Sequence, residues 1–157
     1  MKSASAKEIK QELNNRSQSE LVALCLHLSR FKKENKELLT YLLYEIDDEA
    51  AYIDNIKSEI EEQFELINRT NYYLMKKGVR KILRMIKKYI RYSKKKETEV
   101  ALLLHFCSEL KKVRPSINSN ITLNNIYDRQ KAMIVKAIDK LHEDLQYDYE
   151  LELEALG

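Results

Sequence analysis

Apolar positions recur along this chain in steps of three and four, the spacing that gathers them on one side of an α-helix. Between about 48 and 67, Ile53, Ile56, Ile60, Phe64 and Ile67 form one such stripe. A polar break, Asn68-Arg69-Thr70-Asn71, precedes a long helix that runs to about Tyr92 with Val79, Ile82, Ile86 and Ile90 on its buried side. Earlier in the chain, Ile9 and Leu13 mark a helix over about 5–14, and Ser17 with Glu20 forms a capping box that opens a second over about 18–33. Lys32-Lys33-Glu34-Asn35-Lys36 interrupts the pattern, and Leu38, Leu39, Leu42, Leu43 and Ile46 resume it as a short helix or a bent continuation. A helix over about 97–113 stops before Pro115, which cannot continue it. After the polar loop 116–120, Thr122 is placed to cap a last long helix striped by Ile126, Ile134, Ile138, Leu141, Leu145 and Tyr149. Alternation of apolar and acidic residues weakens the helical pattern beyond Tyr147, so residues 147–157 read as a candidate frayed acidic tail, with contact to the basic helix or sealing of the array's end as the other readings of the acidic stretch.

Two segments have no polar face. Val22-Ala23-Leu24-Cys25-Leu26-His27-Leu28 returns as Val100-Ala101-Leu102-Leu103-Leu104-His105-Phe106, and a helix that is apolar all round must be covered on several sides. Both are therefore expected in the interior. Ile9 and Leu13 precede the first copy much as Ile86 and Ile90 precede the second, which suggests helical hairpins spaced by about 40 residues, the period of HEAT and armadillo units. The expected fold is all-α, one domain over 1–157, with six or seven helices packed as antiparallel hairpins in a HEAT-like α-solenoid or an irregular bundle.

Lys7-Glu8-Ile9-Lys10-Gln11-Glu12-Leu13, Ser17-Gln18-Ser19-Glu20-Leu21 and Lys33-Glu34-Asn35-Lys36-Glu37 together resemble the opening of certain uncharacterised bacterial all-helical proteins. The resemblance covers about the first forty residues and implies a bacterial helical protein, with no activity or site residue attached. The same opening is similar to a SAP helix pair, which would imply DNA binding, but it lacks the loop glycine of that family.

Composition agrees with helices. Two glycines and one proline in 157 residues, against usual shares of about 7% and 5%, leave few positions for the tight turns of sandwiches and barrels. A chain of this length buries roughly two-thirds of its unfolded surface without a staple. Cys25 and Cys107 lie in apolar runs, where cysteine acts as a small hydrophobe rather than a disulfide partner. No run approaches the roughly 20 apolar residues of a membrane span, and residues 1–8 lack the apolar core of a secretory signal. A cytoplasmic location is expected.

Charge changes the picture. The formal net value is only +3, yet residues 66–96 contain no carboxylate and carry twelve lysines and arginines. At about 100° per residue, Lys77, Arg80, Lys81, Arg84, Lys88, Arg91 and Lys95 fall in one sector opposite Ile82, Ile86 and Ile90. Such a stripe can follow a phosphate backbone and release condensed counterions, with Tyr89 and Tyr92 offering stacking faces. It can equally dock an acidic protein, stay solvated, or be answered within the chain by Asp47, Asp48, Glu49, Asp54, Glu59, Glu61, Glu62 and Glu65.

Candidate chemistry is sparse. Cys25 with His27, and His105 with Cys107, offer zinc-type ligands, but residues two apart on a helix point about 200° apart and cannot share an ion. Asp139 and His142 have the spacing of a di-iron helix without the further ligands such a site needs. There is no Gly-rich phosphate loop and no nucleophile elbow. The expectation is a non-catalytic helical interaction module or scaffold that binds another macromolecule, with a protein partner and without cofactor, metal or membrane. The alternative is nucleic-acid or other polyanion binding through residues 76–96.

Overall fold

A computed structural model describes all of residues 1–157 and contains helices, turns and no strand. The helices are α1 (Ala6–Asn14), α2 (Gln18–Phe31), α3 (Lys33–Thr40), α4 (Glu49–Glu65), α5 (Tyr72–Ser93), α6 (Lys96–Lys112), α7 (Ile121–Ile138) and α8 (Glu143–Leu156). A π turn, Tyr41–Glu45, follows α3, and a 3-10 turn, Ile117–Ser119, precedes α7. The all-α class is as the pattern predicts, with eight α-helices where it predicts six or seven.

The extra helix comes from the last stripe. It divides at Asp139–His142, and the His142 side chain accepts the Asp144 N–H to start α8. The final residues are helical to Leu156 rather than frayed, with Lys131 Nζ bonding the Gly157 carbonyl at 3.0 Å. Lys32, extended at φ −140° and ψ 146°, separates α2 from α3.

Most helix starts carry a side-chain oxygen on an orphaned N–H, the usual role of Ser, Asp and Asn there. Ser5 and Glu8 make a full capping box, and the Ser5 hydrogen bonds hold the Glu8 carboxyl below its ordinary range. Ser17 accepts from Glu20, Asp48 from Ala51 and Asn71 from Leu74. The cap of α7 is Asn120, not Thr122: its Oδ1 accepts the Leu123 N–H at 3.1 Å. α6 ends at Lys112, ahead of Pro115.

The chain divides into two compact units, Met1–Tyr44 and Glu45–Gly157. In the second, α6 is the central rod and packs against α4, α5, α7 and α8. Its apolar run Val100–Leu104 is buried on every side, and Phe106 meets Phe64 of α4 with ring centroids 5.7 Å apart. The stripes of α4 (Ile56, Ile60, Phe64) and α5 (Met75, Val79, Ile82, Ile86) close on it. Each such fully buried side chain contributes about 1.5–3 kcal/mol.

The first unit departs from expectation. Tyr41 is its only buried residue. Val22, Leu24, Leu26 and Leu28 are 53%, 43%, 44% and 58% exposed, so the first apolar copy is not an interior support like the second. α2 and α3 pack together, whereas α1 meets α2 only along an open apolar groove of about 640 Å³ that includes Ile9, Leu13, Ala23 and Leu24. Two sequences with one pattern thus have opposite surroundings.

Candidate functional site

α5 positions the basic row. Its 22 residues extend about 33 Å at 1.5 Å each, and burial of Met75, Val79, Ile82 and Ile86 turns the opposite sector outward. Lys77, Arg80, Lys81, Arg84 and Arg91 are all exposed, and none forms an ion pair. The two remaining members differ. Lys88 is half-buried with Nζ 5.4 Å from the centroid of the Tyr89 ring, and Lys95 Nζ lies 3.5 Å from Glu49 Oε2. Five of the seven cations are therefore solvated and free to meet an external anion.

The acidic helix α4 meets this row at Lys95, through Glu49, and leaves the five exposed cations unpaired. Glu49 accepts hydrogen bonds from Ser93 Oγ and, at 2.6 Å, from Thr98 Oγ1, tying the start of α4 to the end of α5 and the start of α6. Glu59 Oε1 accepts from Tyr89 Oη at 3.2 Å. Glu61 turns toward His105 of α6. Tyr89 and Tyr92 are half-buried and stack edge-to-face on each other, 6.1 Å between centroids, so they are not open platforms for bases.

The histidine of the apolar run on α6 meets carboxylates of its own helix and of α4. His105, Glu109 one turn on, and Glu61 bring one imidazole nitrogen and two carboxylate oxygens within 4.8 Å of one another. His105 Nε2 is 3.0 Å from Glu61 Oε1 but poorly aligned for a hydrogen bond. Burial pushes the imidazole below its ordinary value, more strongly than Glu109 and Glu61 push it up. Lys112 Nζ holds Glu109 Oε1 at 2.6 Å and supplies a positive charge against the two carboxylates. The donor types suit a divalent cation, while the lysine already occupies the place of a counter-charge. The i, i+4 spacing of His105 and Glu109 was the readable signal for this group; Glu61 could be added only by the fold.

The other cysteine and histidine pairs remain apart in chemistry. Cys107 is buried with its thiol pushed up to about 12 by desolvation, so it is an inert core group. Cys25 is exposed on α2. His142 caps α8 and sits 3.6 Å from Asp144 rather than pairing with Asp139.

No helix is long and apolar enough to cross a membrane. The chain matches no protein-family model, no curated protein and no solved structure.

Proposed function

We propose that this protein is a non-catalytic helical interaction module that binds another macromolecule, and that its docking element is the first unit. The observation that carries the reading is α2, a helix apolar on nearly all sides whose large side chains face solvent. Exposed apolar patches of this kind mark interaction surfaces, because leaving them in water costs about 25 cal/mol per Å². The α2–α3 and α6–α7 pairs support the hairpin part of the expected architecture, whereas the four neighbours of α6 favour an irregular bundle over a HEAT-like solenoid for residues 45–157. A bacterial, cytoplasmic setting remains part of this proposal. A photo-crosslinking residue placed at Leu26 of the intact chain is expected to give a discrete adduct in cells that Val22→Glu, one turn away on the same exposed face, removes. An adduct-free chain at that position would overturn the reading.

A second reading rests on a separate observation, the five unpaired cations of α5. In it, the row binds a nucleic-acid backbone without reading bases. Fluorescence anisotropy with random-sequence DNA and RNA at two salt concentrations tests it. Binding that weakens steeply with salt and is lost on joint reversal of Arg80, Arg84 and Arg91 to Glu supports it. Absence of binding at low salt removes it.

A further inference from the structure

The seam between α5 and α7 gathers cations from two helices. Tyr72 Oη, at the start of α5, donates to the Ser116 carbonyl just ahead of α7 at 2.9 Å, and Lys87 Nζ lies 3.7 Å from Met133 Sδ. These contacts make α5 and α7 run in the same direction, both beside α6, and set Lys87 level with Met133. At about 100° per residue, Arg80, Arg84 and Arg91 lie within about 60° of Lys87, and Arg129 and Lys136 within about 60° of Met133. All five are exposed and unpaired. In each helix they stand on the solvent side of the contact, because Val79, Ile82 and Ile86 of α5 and Leu123, Gln130 and Ala137 of α7 take the buried side. α5 has no acidic residue, and those of α7 and its C-cap, Asp128 and Asp139, lie about 120–140° from Met133, beyond the cations. At the end of the seam, Glu97 accepts from Tyr149 of α8 and Glu99 is paired with Lys96. The last residues of the acidic helix α8 meet Tyr127 and Lys131, on the side of α7 away from α5.

We propose that this seam binds the backbone of double-stranded DNA, with α5 on the phosphates of one strand and α7 on those of the other. The site rests on the second functional reading, contact through the α5 row, and extends it to a second helix. Arg129 is four residues before Met133 and Lys136 three after it, so Arg84 stands within one residue of the level of Arg129, and Arg91 within one of Lys136. Two cationic rungs result, about 10.5 Å apart along the helix axes, close to three steps of about 3.4 Å on a phosphate strand. Helices in side-chain contact hold their axes about 10 Å apart. The two cations of a rung can therefore reach the strands on either side of the minor groove of B-DNA, about 6 Å wide. A single strand would call for one row with aromatic faces beside it, but Tyr89 and Tyr92 stack on each other and the exposed Tyr73 lies two turns before Arg80. Duplex RNA displays 2′-hydroxyls across a wide, shallow groove, and α5 offers no Ser, Thr, Asn or Gln between Leu74 and Tyr92 to meet them.

Fluorescence anisotropy of the full chain with a labelled random-sequence DNA duplex is expected to show binding whose log affinity falls against log salt with a slope of about −4 to −5, roughly 0.9 for each of the five cations. Arg129→Gln/Lys136→Gln should leave the helical circular dichroism unchanged, because both positions are exposed and unpaired. It should weaken binding at least about tenfold at low salt and make the slope shallower by about two. Arg84→Gln/Arg91→Gln should do the same. An α7 variant that keeps the wild-type affinity and slope while the α5 variant loses both overturns the two-helix site and leaves the α5 reading standing. No binding at low salt, or binding indifferent to both variants, removes the two together. Single-stranded DNA or duplex RNA that competes as well as duplex DNA overturns the choice of occupant.

Discussion

Gly78 shows how one missing side chain sets a packing distance. A β-carbon built on it would overlap the Ile67 side chain, which lies in the turn between α4 and α5. In an isolated helix, alanine would be favoured over glycine by about 1 kcal/mol. Here overpacking of roughly 1–3 kcal/mol works against it. Gly78→Ala is expected to lower stability by about 1–2 kcal/mol in urea denaturation, and Ile67→Ala introduced with it should recover part of the loss. A gain in stability for Gly78→Ala alone would show that the close approach exerts no constraint. His105 offers a second residue-scale consequence, through pH. Its imidazole is held below the ordinary value mainly by burial, so the unfolded chain takes up the proton first as pH falls. Stability linked to this group is full above the ordinary histidine range and declines as pH drops from that range toward the folded-state value. Thermal melts between pH 7.5 and 5 should register the decline, and His105→Gln should flatten it. A profile unchanged by the substitution would place the pH dependence on other groups.

At the scale of the element, periodicity made most of the helices legible because each buries a stripe against a neighbour. Ile53 to Ile67 and Val79 to Ile90 forecast α4 and α5 for this reason. Where the backbone rather than the stripe decides, the sequence was silent. Lys94 ends α5 in the left-handed region at φ 60°, bonding the Ile90 carbonyl at 2.9 Å, a position where glycine is usual. The stripe from Ile126 to Tyr149 breaks because α7 ends at Ile138 and His142 turns extended at φ −61° and ψ 147°, and Leu141 and Leu145 then belong to different arrangements. The identical apolar pattern of α2 and α6 was the most misleading signal. A pattern states how much surface an element needs to cover, and only tertiary neighbours state whether the chain itself covers it. The basic row was legible because no carboxylate interrupts residues 66–96. That α4 reaches it only at its Lys95 end and leaves Lys77, Arg80, Lys81, Arg84 and Arg91 unpaired was not, since that depends on Glu49 bonding Ser93, Thr98 and Lys95 and on Glu59 meeting Tyr89.

For the whole molecule, the uneven core predicts uneven stability. Residues 45–157 contain all the buried apolar residues but Tyr41, and local opening is governed by how much of that contact must be broken. The helices of residues 1–44 are 9, 14 and 8 residues long, at or below the length at which helices of about 12–15 residues become marginal in water without packing. Amide hydrogen exchange should therefore separate the chain into two classes. Amides in the middle of α6 and α7 should exchange only through global unfolding, while those of α1 to α3 should exchange orders of magnitude faster in dilute protein. Equal protection of α2 and α6 in dilute protein would mean that the first apolar copy is as well covered as the second, and the contrast on which the docking element depends would be lost.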